Sequence, residues 1–487
     1  MPTLLSPLIN ELDAQESISL KRLQKAAVVS ATHEAGHEFQ RPGCHEGTRL
    51  AVFSRLMDWV IGNYEPEAIF LWLYGDAGAG KSSIAQTFAV RCAQERHLLA
   101  SFFFWKNDPQ RSSHTALIAT LIHQAITIIP ALRVLVAAAI DRDPSILEKH
   151  LTHQIMSLLI EPLNVLVSTP GFDASSSPTL ILIDGLDECT TANAQRSILE
   201  AFAAALPHCR YGIKLLIASR PELEINATFN TNPFNLVSNR VALSASFKAD
   251  EDIRKFLLDT FNKIKSSHPH SVLIPASWPS DDVIPTIVRR SGGQFIFPST
   301  IAKYVSDPHQ KPMEQLDTVM AVRPDPFDTN IPNTELNALY THALSRVPSY
   351  KIERSLEILS FTVIVSPILD PQVQPQIMVS LLSLEPGDTE FYLADLTSLV
   401  QVQYDKDLPS VRILHASFGD FLLDPQRSHK FHCDPGSFFA KISGYGLELL
   451  TKDGLCHICI IASICLLPAL FLLLFSRFIR SSYQSRI

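Results

Sequence analysis

"AIFLWLYGDAGAGKSSIAQTFAVRCAQE", residues 68–95, runs from a continuous apolar stretch through a glycine-rich turn into helix-like spacing at Ile84, Phe88, Ala89 and Cys92. This order reads as strand, loop, helix. The turn, Gly75-Asp76-Ala77-Gly78-Ala79-Gly80-Lys81-Ser82, matches G-x-x-x-x-G-K-[ST] in full and has the flanking strand and helix that the pattern requires. Glycines here let successive backbone N–H groups curl into a nest around phosphates, and the following helix adds the positive end of its dipole. Lys81 is expected to pair with β- and γ-phosphates and Ser82 to ligate Mg²⁺, with Ser83 counted among the residues that bind the cofactor. The implied cofactors are ATP or GTP together with Mg²⁺.

A phosphate loop needs a carboxylate to complete the metal site. "LILIDGLDEC", residues 180–189, is a fully apolar strand ending in acids. Asp184 falls at its carboxyl end, where it would hold Mg²⁺ through water, and Asp187 or Glu188 would orient the attacking water. "LLIASRPE", residues 215–222, ends a further strand in Arg220, placing a guanidinium on the same sheet edge to sense a γ-phosphate. The catalytic candidates are therefore Asp187, Glu188 and Arg220.

Outward from these motifs, buried strands alternate with helices. The apolar run Leu98 to Trp105 is followed by helical patterns around Ala116 to Ile129 and Ile146 to Val167, and the loop "STPGFDASSSPT" leads into the acidic strand. A helix with Ile198, Phe202 and Leu206 then precedes the strand "IKLLIAS". The expected fold class is α/β, a parallel sheet covered on both faces. From about residue 245 the pattern becomes helical: "ADEDIRKFLLDTFNKI" sets Ile253, Phe256, Leu257 and Phe261 on one face behind an acidic first turn. Two more helices are expected to hinge at Gly292 and Gly293, and the Pro-rich "AVRPDPFDTNIPN" reads as a linker. Helices then give way to a strand pair, "LVQVQYD" and "SVRILHA", with Pro409 placed in their turn, an order that suits a winged-helix-like module. No internal repeat at solenoid or propeller periods is found.

Composition bounds the function classes. The 487 residues are 46% hydrophobic and 18% charged, a globular composition with room for several domains. A net charge of -8 and a pI near 6.1 give no electrostatic reason to expect nucleic acid as the main partner. Eight cysteines are spread without paired spacing and no secretory leader opens the chain, so a reducing, cytoplasmic setting is expected. Cys456-x-x-Cys459 reads as apolar filler, because it lies inside an uncharged run from Cys456 to Phe475 that is followed by Arg477, Arg480 and Arg486. That run of about 20 residues is a candidate transmembrane helix and membrane anchor, with a buried helix as the alternative.

One motif competes with the nucleotide reading. His33, Glu34 and His37 fit the H-E-x-x-H pattern of zinc proteases, in which two histidines share a helix face. Only 32 residues precede His33, and Pro42 stops any helix soon after, so the stretch is read as a leader into the core.

Taken together, "GCHEGTR", "GDAGAGKS", "SFFFWKNDPQRS", "DRDPSILEKHLTHQ", "DGLDEC", "IASRPE", "GGQFIF" and "LHASFGDFLLD" make the chain resemble a fungal NACHT-domain protein. These are P-loop nucleotide switches of the STAND class, related to the nephrocystin-like N-terminal domain. The likeness covers about residues 40 to 435. It implies a P-loop NTPase sheet, a helical domain and a winged-helix-like domain that closes over the nucleotide, with self-oligomerisation or protein partners and slow hydrolysis. In that analogy Thr48 and Arg49 form the lead-in that contacts the nucleotide, and His415 resembles a winged-helix histidine that touches a bound diphosphate. The expected organisation is a leader 1–40, nucleotide-binding domain 41–240, helical domain 241–330, winged-helix-like domain 331–435, connecting helix 436–455, candidate span 456–475 and basic tail 476–487. Relatives usually carry an effector before this core and a repeat sensor after it, neither of which is read here. The alternative is therefore a truncated nucleotide-binding scaffold that acts through protein contacts or membrane tethering, without turnover.

Overall fold

The computed structural model describes residues 18–36, 42–173, 177–243, 249–324, 333–369, 373–405 and 407–453, the last eight by backbone only. It divides into two compact units, with the division falling between Asp317 and Thr318.

The first unit is built on five parallel strands, β1 (Phe70–Tyr74), β2 (Leu98–Phe103), β3 (Leu180–Asp184), β4 (Lys214–Ser219) and β5 (Ser238–Ala242), in the order β2-β3-β4-β1-β5. The period-2 alternation divides the side chains between two cores. Phe70 and Trp72, Ile181 and Ile183, Leu215 and Ile217 enter one, whereas Leu71 and Leu73, Leu180 and Leu182, Leu216 and Ala218 enter the other. The second face is covered by α2 (Leu50–Val60) and α3 (Lys81–Gln94). The first is covered by α4 (Leu117–Ile128), α5 (Leu132–Arg142) and α8 (Ala192–Ala205). Between α5 and α8 the sequence expectation of one helix from Ile146 to Val167 is met only in part: α6 (Leu151–Ile155) and α7 (Glu161–Val167) are joined by a π turn at Met156–Ile160. Pro162, which has no N–H to donate, stands just past that turn.

The start of the chain contributes to this core. Helix α1 (Ile18–Ala26) buries Leu23, Val28 donates its N–H to the Thr120 hydroxyl at 2.9 Å, and Ala31 is fully buried. His33 sits in a turn and not on a helix. Its ring Nδ1 lies 3.0 Å from the Ser101 hydroxyl, and burial lowers its pKa below the ordinary histidine value. His37 lies outside the described residues.

After β4 comes α9 (Leu223–Phe229), then α10 (Ala249–Ser267), α11 (Val283–Ser291) and α12 (Ile296–Val305), and α13 (Pro312–Ala321) contains the division. α10 starts with Asp250, Glu251 and Asp252 at its positive end and buries Ile253, Leu257, Phe261 and Ile264. α11 stops at Gly292, and α12 starts after Gly293; both glycines have positive φ, as the hinge reading requires.

The second unit holds α14 (Thr334–Ser345), α15 (Ser349–Ser360), α19 (Pro435–Asp453) and a hairpin of β6 (Val400–Asp405) and β7 (Leu408–Ile413), which packs against α16 (Gln374–Leu381), α17 (Asp388–Leu393) and α18 (Ala416–Leu423). Tyr340 of α14 is fully buried against Phe418 and Phe421, its hydroxyl 2.9 Å from that of Ser417. Lys441 of α19 reaches Glu353 at 2.8 Å and also Glu357, both on α15. Pro409 is not in the turn: it pairs with Tyr404 inside β7, and the turn is tighter, between Asp405 and Leu408. An edge strand tolerates proline where its missing N–H is not needed by a ladder. The apolar run 456–475 lies outside the described residues. Among those described, no helix is long and apolar enough to cross a membrane.

Trp72 holds the sheet at its centre. The indole stacks on Phe229 with centroids 4.4 Å apart and donates from Nε1 to the Ser219 hydroxyl at 2.8 Å, tying β1 to the end of β4. Trp72→Phe leaves that buried hydroxyl without its donor and is expected to destabilise the unit by about 1–3 kcal/mol. Trp72→Ala should cost about 3–5 kcal/mol. Urea unfolding followed by far-UV circular dichroism checks the order of the two midpoints.

Candidate nucleotide site

In a parallel sheet every strand ends at the same edge, and ligands bind outside those ends where the strand order reverses. Here β4 lies between β1 and β3. The phosphate loop after β1 and the acids after β3 therefore face one another across two strand spacings, roughly 10 Å.

The loop is shaped by glycines. Gly78 and Gly80 have φ of 81° and 94°, which L side chains rarely adopt, and Gly80 is the N-cap of α3. Gly75 is closely packed: a Cβ there would meet Leu243 Cβ at 3.2 Å and Ala79 Cβ at 3.3 Å. Asp76 at the loop's crown is exposed, and its carbonyl accepts the Ala79 N–H at 3.3 Å. Ala77 lies between Asp76 and the Gly78 bend. Lys81 runs back along the rim and donates to the carbonyls of Gly75 at 2.6 Å and Asp76 at 2.8 Å. Ser82 and Ser83, half-buried in the first turn of α3, complete the cradle.

Opposite lie the charged groups. Asp184, 1% exposed, ends β3 with its backbone in register with Phe103 and Ala218. Arg220, just past β4, donates its backbone N–H to Asp187 Oδ1 at 3.0 Å, and its Nε lies 3.3 Å from Oδ2. Burial pushes the Lys81 ammonium below its ordinary pKa, with Asp187, Asp184 and Asp76 pulling it back up and Arg220 adding to the fall. All four are thus within electrostatic reach of the lysine. Asp187 is raised above the ordinary carboxylate range, first by burial and then by repulsion from Glu188, against the pull of Lys81 and Arg220. The remaining acid of the motif, Glu188, accepts the Lys106 backbone N–H through Oε2 at 3.2 Å.

Whether these groups suit a metal-bound nucleotide is a matter of donor chemistry. Among the described residues no three His, Cys, Asp or Glu side chains converge as a self-contained metal site. Mg²⁺ bound with phosphates does not need one, since a single carboxylate and a hydroxyl, here Asp184 and Ser82, suffice beside water and phosphate oxygens.

The lead-in residues separate in role. Thr48 is buried, and its hydroxyl donates to the His45 carbonyl at 2.6 Å, closing its own turn. Arg49, 3% exposed, reaches the phosphate loop: Nη2 donates to the Ala79 carbonyl at 2.8 Å, and the guanidinium lies 4.7 Å from the Phe295 ring centroid. Its backbone N–H donates to Asp252 Oδ2 of α10 at 2.9 Å, and its Nη1 is buried without a hydrogen-bond partner. Ile296, which opens α12, donates its N–H to the Gly78 carbonyl at 3.2 Å. Phe295 and Ile296 were missed as site residues by sequence reasoning, although the paired glycines before them marked the bend that delivers them. His415 lies in the second unit as the N-cap residue of α18.

The position of Gly185 inside "DGLDE" admits only a small residue. Its φ is 72°, and a Cβ would sit 3.1 Å from the Phe104 carbonyl oxygen and 3.7 Å from Glu188 Cδ. Gly185→Ala is expected to destabilise the first unit by about 1–2 kcal/mol from the left-handed backbone alone. A larger loss is expected for Gly185→Val, and thermal unfolding of the two variants checks the order.

Residues 53–220 match the family model described as nephrocystin 3, N-terminal. No curated protein matches the chain. Among solved structures, the chain is similar to a Walker-type ATPase of Pyrococcus abyssi, at 12% identity over 78% of this chain and 97% of that one, with a TM-score of 0.37. It is also similar to a Signal Transduction ATPase with Numerous Domains bearing a tetratricopeptide repeat sensor, from Pyrococcus horikoshii, at 12% identity and a TM-score of 0.38. That match covers 81% of this chain and 45% of the other, so the chain spans less than half of that protein's length. With the phosphate loop, the acidic strand end and the sheet that joins them inside the matched segment, residues 53–220 form a nephrocystin-like P-loop NTPase domain.

Proposed function

We propose that the protein is a nucleotide-dependent switch that binds ATP or GTP with Mg²⁺ and hydrolyses it slowly. The observation that carries this reading is the double engagement of the phosphate loop. One side of it faces the sheet-edge charges, while its Gly78 and Ala79 carbonyls are held by Ile296 and Arg49. A ligand that draws on the loop's N–H groups displaces the same backbone that the helical segment grips, so occupancy and helix position share one set of contacts. Only a difference in affinity between two states can shift them, and this shared backbone supplies a means for such a difference.

In this reading the triphosphate favours an open or self-associating state and the diphosphate a closed one. Lys81 holds the β- and γ-phosphates, Ser82 and Asp184 hold Mg²⁺, and Arg220 senses the γ-phosphate. Glu188 takes a proton from water as the water oxygen bonds to the γ-phosphorus. The bridging P–O bond breaks, and its electron pair stays on the diphosphate. A role in signalling of the non-self-recognition kind, in a cytoplasmic setting with residues 456–475 as a membrane tether, completes the proposal by analogy.

The test is binding and turnover side by side. Wild-type protein is expected to bind fluorescent ATP or GTP analogues and to hydrolyse them slowly. Lys81→Ala should abolish binding, and Glu188→Gln should bind yet lose turnover by about a hundredfold or more. Equal binding by wild type and Lys81→Ala would sink the reading, and binding without turnover would favour a nucleotide-bound scaffold.

A pH dependence follows from Lys81. Its pKa lies below the ordinary 10.5, and phosphate binds the charged ammonium. The association constant should therefore be at its full value below the lowered pKa and fall as pH rises through it, starting before an exposed lysine would titrate. Titration calorimetry from neutral to alkaline pH measures where the fall begins.

A further inference from the structure

The segment after β2 and the turn after β3 lie side by side along the sheet edge. Phe104 donates its N–H to the Asp184 carbonyl at 2.9 Å, and Thr190 donates from both N and Oγ1 to the Ser112 carbonyl, at 3.0 and 2.8 Å. Between these two fastenings the Lys106 backbone N–H meets Glu188 Oε2 at 3.2 Å. Asp187, the neighbouring acid, is turned the other way, onto Arg220. The β2 segment therefore holds Glu188, while Arg220 holds Asp187.

That segment is closed on itself. Asp108 donates its N–H to the Trp105 carbonyl at 3.1 Å, making a four-residue turn with Lys106 at its second position. The Asp108 carboxylate accepts the Gln110 N–H at 2.9 Å, capping the single helical turn Pro109–Ser112. Arg111, 1% exposed, donates from Nε and Nη2 to the Phe103 carbonyl at 3.3 Å each, beneath the Trp105 ring at 5.3 Å, while its own carbonyl accepts the Trp105 N–H at 3.3 Å. A buried guanidinium spanning a strand end and a loop is a rigid brace, and its loss would leave the Phe103 carbonyl without these donors.

We propose that this loop is the positioning element for hydrolysis: the Lys106 backbone N–H fixes the Glu188 carboxylate, and Arg111 fixes the loop that carries it. The inference rests on the reading of Glu188 as the group that activates water. A carboxylate with one oxygen tied to a backbone amide has its rotation set, so the direction of its other oxygen is set as well. Reaction rates depend steeply on such geometry. In this role Lys106 acts through its main chain.

The turn geometry supplies a clean experiment. The second position of such a turn is where proline is favoured, and the turn's own hydrogen bond does not use that residue's N–H. Lys106→Pro thus removes the donor to Glu188, and Lys106→Ala keeps it. In the full chain, with ATP and GTP as probes, Lys106→Pro is expected to lower kcat about tenfold to a hundredfold with KM and analogue binding unchanged, while Lys106→Ala turns over like wild type. If Lys106→Pro unfolds, replacing the residue by its α-hydroxy analogue removes the same N–H without a ring, and the same loss of kcat is expected. Unchanged or raised kcat in a folded donor-deletion variant overturns the positioning role and leaves the hydrolysis reading standing. Equal loss in Lys106→Pro and Lys106→Ala overturns it too, since the amide would then be irrelevant. Absence of turnover in the wild type overturns both, and is seen before any variant is made.

Discussion

The parallel hydrogen bonding of β4 between β1 and β3 is the constraint on which the site depends. β3 and β4 follow one another in the chain and lie side by side, whereas β1 comes first and pairs on the far side of β4. Direct pairing of β1 with β3 would set the phosphate loop and Asp184 one strand spacing apart, about 5 Å, where the observed order sets them two apart, about 10 Å. The inserted strand opens the gap and ends at its centre in Ser219 and Arg220. Trp72 fastens the arrangement, because its indole bonds β1 to Ser219, one residue before the arginine.

Burying this many charges at one edge is tolerable only because they offset one another. Burial by itself disfavours the charged form of both Lys81 and Asp187. Each lowers the other's penalty, and Arg220 shares Asp187 while opposing Lys81. Removing one member therefore leaves the remaining charges uncompensated, which is costlier than never having buried them. A phosphate chain entering this field would meet a lysine and an arginine whose partners are already in place, which is preorganisation in the electrostatic sense.

What the sequence made legible were features with a local signature. The phosphate loop, the acidic strand end, the arginine strand end and the glycine hinge each depend on a few adjacent residues, and each falls where its pattern placed it. β5 escaped notice because "SNRVA" is short and half polar, an edge strand with one neighbour, and its burial alternates where the central strands are buried throughout. The π turn inside α6–α7 leaves no mark in the apolar spacing. Pro409 was assigned to the turn by the general rule that proline breaks strands, yet in a two-stranded ribbon one side of each strand needs no partner. The bond from Lys106 to Glu188 was beyond reach for a different reason: it uses a main-chain group, and any residue but proline would supply it.

Arg49 shows how far a motif can be from its meaning. The family match begins at residue 53, so the arginine lies outside it, as do Phe295 and Ile296. Its backbone stands at φ 59°, a left-handed conformation that costs an ordinary residue about 1–2 kcal/mol. Such strain persists where surrounding contacts over-determine it. Here they do: the N–H is held by Asp252, Nη2 by the Ala79 carbonyl, and the guanidinium face by Phe295, while burial lowers the pKa of the group and Asp252 opposes that fall. Three separate chain segments thus meet at one residue, the lead-in, the phosphate loop and the helices after the sheet. A lysine has the charge but not the planar face or the fork, and would keep the backbone bond to Asp252 but only one of the two guanidinium contacts at a time. The strain at Arg49 is the local cost of making the phosphate loop and the helical segment answer to the same residue.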